Sequence, residues 1–181
     1  MKHRQTETKA YLKKALTLLL QDTEIEHLTI SQITKKAGIN RSTFYLHYQD
    51  KYDLINHLKD DTWQEIDILL ERHKHQPRAG ILAILQFLKG DFDFISAMAN
   101  SRFLNLSESI KDFTRHLLSA DEQIAEALVE AYRIPYPYAL TVYLSSIESI
   151  ISLWIETGGQ ESPEEMTEII LTVADLGNQI R

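Results

Sequence analysis

Cysteine is absent from the 181-residue chain, which removes disulfides, thiol nucleophiles, thiolate zinc sites and iron–sulfur clusters together. Glycine and proline are scarce, at six and four residues, too few for the many turns of an all-β fold. Basic residues are outnumbered, 19 Lys and Arg against 26 Asp and Glu for a net charge of -7, so the chain is unsuited to coating nucleic acid by bulk charge. A long apolar run is also missing. The longest, residues 139–155, contains Glu148 and four serines and falls short of the roughly 20 apolar residues of a membrane span. The basic, polar start with its brief apolar stretch at 16–20 has no signal-peptide pattern. A cytoplasmic protein with no membrane partner is expected. No G-x-S-x-G, Gly-rich phosphate loop or zinc spacing of His and Glu occurs, and His73 and His75, two apart, do not share a helix face. Neither catalysis nor a metal nor a cofactor is expected.

What the chain does have is an ordinary globular balance, 44% hydrophobic and 25% charged. Its length suits one moderate domain, or a small domain fused to a larger one. Charge is unevenly placed. Residues 1–51 carry nine Lys/Arg and five Asp/Glu, whereas residues 52–181 carry ten and 21. A basic head on an acidic body is one pattern of a nucleic-acid-binding protein, although a few lysines also make an ordinary solvated face.

Apolar spacing is helical almost throughout. Ala10, Leu12, Ala15, Leu16, Leu19 and Leu20 form the stripe of a first helix. After a loop at 22–28, Thr29 and Gln32 have the T-x-x-Q spacing of a capping box. They open a second helix that Gly38 ends in a left-handed turn. Asn40 can cap a third helix, residues 41–47, and Asp50 a fourth, residues 51–75. Further helices are expected at 78–89, 91–100, 104–118, 121–132 and 138–156. Gly158-Gly159 stops the last of these, and Ser162-Pro163-Glu164-Glu165 starts a final one reaching about 176. The fold expected is all-α with about nine helices. A three-helix helix-turn-helix domain at 1–50 precedes a helical domain at 51–181.

Residues 29–48 read as two short helices joined by a Gly-containing turn, the helix-turn-helix pattern. Ile33, Ala37 and Phe44 would face inward, with Ile39 plugging the turn and Tyr48 one turn after Phe44. Ser42, Tyr45 and Leu46 then point outward, with Arg41 at the helix entrance. A second helix of this kind enters the major groove. Arg41 suits a bidentate contact with guanine, Ser42 a base or phosphate, and Leu46 a thymine methyl. Thr29 and Ser31 can seat a phosphate at a helix N-terminus. Tyr45, His47 and Lys51 suit phosphate oxygens, His47 suiting a helix-facing hydrogen bond equally. Asn40 and Thr43 complete the candidate DNA-binding set.

Thr29, Ile33-Thr34, Ala37-Gly38-Ile39, Tyr45-Leu46-His47-Tyr48 and Lys51-Tyr52-Asp53-Leu54 together resemble the DNA-binding signature of the TetR family. The resemblance covers about a third of the chain once the first helix is included. Two positions depart mildly: Thr34 stands where Ala is usual, and Tyr48 where Phe is usual. Residues 147–171, with Trp154, Gly158-Gly159 and Ser162-Pro163-Glu164-Glu165, are similar in architecture to the last two helices of some members.

That resemblance implies a homodimer built as a four-helix bundle, with Tyr143, Ile147, Ile151, Trp154, Ile170 and Val173 at its interface. A palindromic double-stranded operator follows, with half-sites about 34–36 Å apart or a multiple of that. It also implies repression, and release by a small-molecule effector that moves the fourth helix. Trp63, Phe87, Phe94, Met98, Phe103 and Phe113 are the candidate effector pocket, ordinary core packing being the alternative for each. Glu148 can read an effector, pair across the dimer or bond locally. Two other readings fit the residues. One is a regulator or co-activator controlled by a protein partner, with no small-molecule pocket. The other is an enzyme or interaction module that keeps the helix-turn-helix only as a packing unit.

Overall fold

The computed structural model describes residues 2–99, 105–119 and 122–179. Among them are ten α-helices, one 3-10 turn and no strand. The helices are α1 Lys2–Leu20, α2 Ile30–Ala37, α3 Arg41–Tyr45, α4 Lys51–Arg72, α5 Pro77–Gly90, α6 Phe92–Ala99, α7 Leu106–Ser119, α8 Glu122–Tyr132, α9 Tyr136–Glu156 and α10 Pro163–Gln179. The 3-10 turn, Ile25–His27, lies in the segment expected to be a plain loop.

Contacts group the chain into two units. The first holds α1 to α4 together with α6 from Asp93 onward. Leu12, Leu16, Ile25, Ile33, Phe44, Leu54 and Ile55 are its most deeply buried side chains, and α1 packs along α2 and α2 against α3. By packing, then, the unit that contains the helix-turn-helix is larger than the segment 1–50 expected to touch DNA. Phe94 and Met98 of α6 are buried in it, and the Lys13 ammonium lies 4.3 Å from the Phe94 ring centre.

The second unit holds α5, Phe92 and α7 to α10. Here α10 packs on α5, α8 and α9, and α7 packs on α8 and α9. The turn from α9 to α10 is closed by local chemistry. Gly158 (φ +83°) donates to the Ile155 carbonyl at 3.1 Å and Gly159 to the Trp154 carbonyl at 2.7 Å, a Schellman end. Ser162 and Glu165 then make a reciprocal capping box that opens α10. The Ser162 amide and hydroxyl hold the Glu165 carboxyl below its usual range.

Around that turn the Trp154 indole donates to the Glu161 carbonyl at 3.0 Å, and the Phe92 ring meets its face edge-on at 5.3 Å. The Lys89 ammonium donates to the Gly159 carbonyl and lies 4.9 Å from the Phe92 ring centre. Gly159 therefore has two reasons to be glycine. Its φ is +63°, and a Cβ there would sit 2.6 Å from the Phe92 ring. Gly38, with φ +69°, has open space around its Cβ direction. Gly38→Ala should cost about 1 kcal/mol from backbone conformation alone, and Gly159→Ala more than about 2 kcal/mol once the ring clash is added. Urea unfolding checks this, and equal losses for the two variants would contradict it.

Candidate nucleic-acid interface

Both ends of α2 and the starts of α3 and α4 are set by a side chain or backbone group of their own neighbourhood. Thr29 accepts from the Gln32 amide at 3.2 Å while the Gln32 side chain accepts from the Thr29 amide at 2.8 Å, so the expected capping box is present. At the other end of α2, Ile39 donates to the Thr34 carbonyl at 3.0 Å and Gly38 to the Lys35 carbonyl at 3.3 Å. This is a second Schellman turn, with Gly38 in the left-handed region. Thr34, where the family favours Ala, is buried, and its hydroxyl donates to the Ile30 carbonyl at 2.9 Å. Its polar atom therefore carries no desolvation penalty.

α3 is shorter than expected. It ends at Tyr45, and Leu46 and His47 continue as a turn with right-handed backbone at Leu46. Asn40 starts the helix through its backbone, its carbonyl accepting from the Phe44 amide at 3.2 Å, but its side chain makes no capping bond. What anchors α3 is Phe44, which has no exposed surface and packs 5.5 Å from the Tyr48 ring.

The same geometry turns Arg41, Ser42, Tyr45 and Leu46 outward together, with Tyr45 50% and Leu46 78% exposed. Thr29, Ser31 and Asn40 are also exposed, whereas Thr43, His47 and Lys51 are half-buried. Arg41 reaches across the turn to the Ser31 hydroxyl at 3.3 Å and along its own helix to the Tyr45 hydroxyl at 3.4 Å. Both are long bonds to neutral acceptors, weak enough for a guanine edge to replace. This bridge, between residues ten apart, is not visible in the sequence pattern. Lys51 is placed differently: its ammonium donates to the carbonyls of Glu26 and Leu28.

The other expected sites are scattered. Trp63, Phe94 and Met98 fall in the first unit, Phe87 and Phe113 in the second, and Phe103 lies outside the described residues. A depression of about 200 Å³ lined by Lys9, Ala10, Lys13, Leu58 and Asp61 involves none of them. Glu148 is bonded locally, accepting from Ser152 at 2.9 Å with the Lys111 ammonium at 3.8 Å. Ile147, Trp154 and Ile170 are buried, and Tyr143, Ile151 and Val173 are half-buried.

Residues 14–58 match the family model described as bacterial regulatory proteins, tetR family. Residues 75–176, more than half of the chain, match the TetR model described as transcriptional regulator C-terminal region. The chain belongs to the TetR family. Its family is one of transcriptional regulators. A relative, the uncharacterized HTH-type transcriptional regulator YxbF of Bacillus subtilis (strain 168), is 28% identical over 176 residues. The match takes in 88% of this chain but only 42% of YxbF, so the chain spans less than half the length of that relative. Two solved structures resemble its fold. The dihydroxyacetone kinase operon activator DhaS superposes with a TM-score of 0.61 at 16% identity, covering 94% of each chain. A TetR transcriptional regulator from Streptococcus agalactiae 2603V superposes with 0.60 at 23% identity, covering 94% of this chain and 96% of its own.

Tyr48, the departure from the family's usual Phe, gives this TetR head a titratable group. Burial pushes its hydroxyl above the ordinary tyrosine value, and the Asp61 and Asp53 carboxylates add to the shift. Because the folded pKa is raised, the group's contribution is constant below about pH 10 and is lost as pH rises above it, the unfolded chain losing its proton first. Tyr48→Phe should therefore match the parent in urea unfolding at neutral pH and become progressively more stable relative to it above pH 10. A difference that stays flat with pH would contradict this.

Proposed function

We propose that the chain acts as a homodimeric repressor on a palindromic operator and is released by an effector. The observation that carries this reading is the outward set Arg41, Ser42, Tyr45 and Leu46 on a helix pinned by fully buried Phe44. Arg41 reads guanine and Leu46 a thymine methyl. Thr29, Ser31 and Tyr45 hold the backbone, with Asn40, Ser42, Thr43 and His47 at the edge of the contact.

The second copy is supported by α9 and α10. α9 is long and apolar enough by composition to cross a membrane, yet only 28% of its most apolar stretch is buried in the chain. Tyr138, Val142 and Leu153 of α9 and Ile169 of α10 are exposed. Glu148 with its Lys111 and Ser152 partners sits in the middle of α9, a poor fit to lipid. A second copy covering this face buries it and sets two reading heads on a two-fold axis. Within that reading, Tyr143, Ile151 and Val173 lie toward the interface, while Ile147, Trp154 and Ile170 support it from beneath. A dimer across two successive major grooves excludes other proteins from that DNA, which favours repression. The aromatic side chains Phe87 and Phe113 in the second unit are the groups an effector would meet there. About 1.4 kcal/mol of effector preference for the released state changes operator occupancy tenfold. Working on operator DNA places the regulator in the cytoplasm.

Selection from random duplex DNA tests the reading. It should return an inverted repeat with half-site centres about 34–36 Å apart or a multiple of that. Changing Arg41→Ala and Tyr45→Phe together should weaken binding to it by on the order of 10- to 100-fold with the circular dichroism unchanged. Recovered sequences without dyad symmetry, or a double variant that binds as the parent does, would contradict the proposal. Leu153→Glu, aimed at the exposed face of α9, should convert the dimer to a monomer in sedimentation equilibrium, and an unchanged parent dimer would move the interface elsewhere.

A further inference from the structure

Lys51 stands first in α4, where the sequence pattern points to a phosphate contact. Its surroundings serve another purpose. The ammonium donates to the Glu26 carbonyl at 2.7 Å and to the Leu28 carbonyl at 2.8 Å. Both acceptors belong to the segment that closes the 3-10 turn and leads into α2, and Leu28 is itself buried. Two of the three donors of the ammonium are thereby spent inside the chain.

The rest of the α4 entrance is closed by acid. The Asp50 carboxylate accepts from the Tyr52 amide at 2.8 Å and from the Asp53 amide at 2.9 Å. Asp53 in turn accepts from the Gln49 amide at 2.8 Å. The Tyr52 and Asp53 amides at the start of α4 are thereby already taken by a carboxylate. Arg41, by contrast, is exposed and bonded only to hydroxyls.

We infer that Lys51 is a positioning residue for DNA reading, clasping the first turn of α4 to the entrance of α2, and does not neutralise a phosphate. The clasp joins α4 to the segment that presents α2 and α3, so it sets the angle at which the reading face leaves α4. This inference rests on the DNA-binding role proposed above.

The test is a titration of the full chain into two duplexes, one selected by the parent protein and one of scrambled sequence, at salt from about 50 to 200 mM. Lys51→Met should lower affinity for the selected duplex by on the order of tenfold, the loss of two charge-assisted bonds at a partly exposed site. Affinity for the scrambled duplex and the log–log salt slope should stay as in the parent. Lys51→Arg, whose guanidinium can serve both carbonyls, should recover most of the loss. Equal weakening on both duplexes, with a slope smaller by about 0.9 for each copy, would mark a phosphate contact and overturn the inference. Should Lys51→Met fail to fold, Lys51→Gln decides, since it keeps N–H donors and drops the charge: a parent slope supports the clasp, a reduced slope overturns it. Failure of the DNA-binding reading itself would show earlier, as a parent protein with no preference for its selected duplex.

Discussion

A helix of five residues does not persist in water, because nucleation costs more than so few backbone bonds return. α3 has only Arg41 to Tyr45, and everything proposed for this regulator depends on where that short helix points. Phe44 holds it. With its ring fully buried and packed against Tyr48, Phe44 fixes the rotation of α3 about its axis. Residues 41, 42, 45 and 46 then have no choice but the outside. The polar reading surface is thus a by-product of one apolar burial, worth about 2–3 kcal/mol by the usual scale for a phenylalanine. Around it, Gly38, the Thr29–Gln32 box and the Asp50 cap define the turns that bring the ring to its pocket.

Electrostatics then selects which surface meets DNA. The net charge of -7 suggests repulsion, but it is an average over a basic first 51 residues and an acidic remainder. At physiological ionic strength charges act over about 8 Å, so the local balance of a segment counts for more than the average of the chain. Within the head the division is finer still, with Arg41 open to solvent and Lys51 drawn onto carbonyls.

What was legible in the sequence is what local chemistry decides. The capping box at Thr29, the left-handed ends at Gly38 and Gly158, the Asp50 cap and the Ser162–Glu165 start each involve residues a few positions apart, and all are present. The outward set on α3 followed from helical spacing and a single buried phenylalanine. Three features were not legible because distant contacts decide them. Lys51 finds its acceptors more than 20 residues away. Trp154 packs against Phe92, far away in the chain, and donates to the Glu161 carbonyl. The Arg41–Ser31 bridge depends on how closely α2 and α3 approach. The 3-10 turn at 25–27 and the early end of α3 are shifts of a residue or two, which tertiary packing sets.

The central claim is that α3 and the start of α2 meet the DNA while the second unit does not. The most direct measurement is an NMR titration of labelled protein with the duplex it selects. The account predicts that amide signals move at residues 29–31 and 41–47, with those of α5 and α7 to α10 left in place. Shifts concentrated in α5 and α7 to α10, with α3 unmoved, would contradict it.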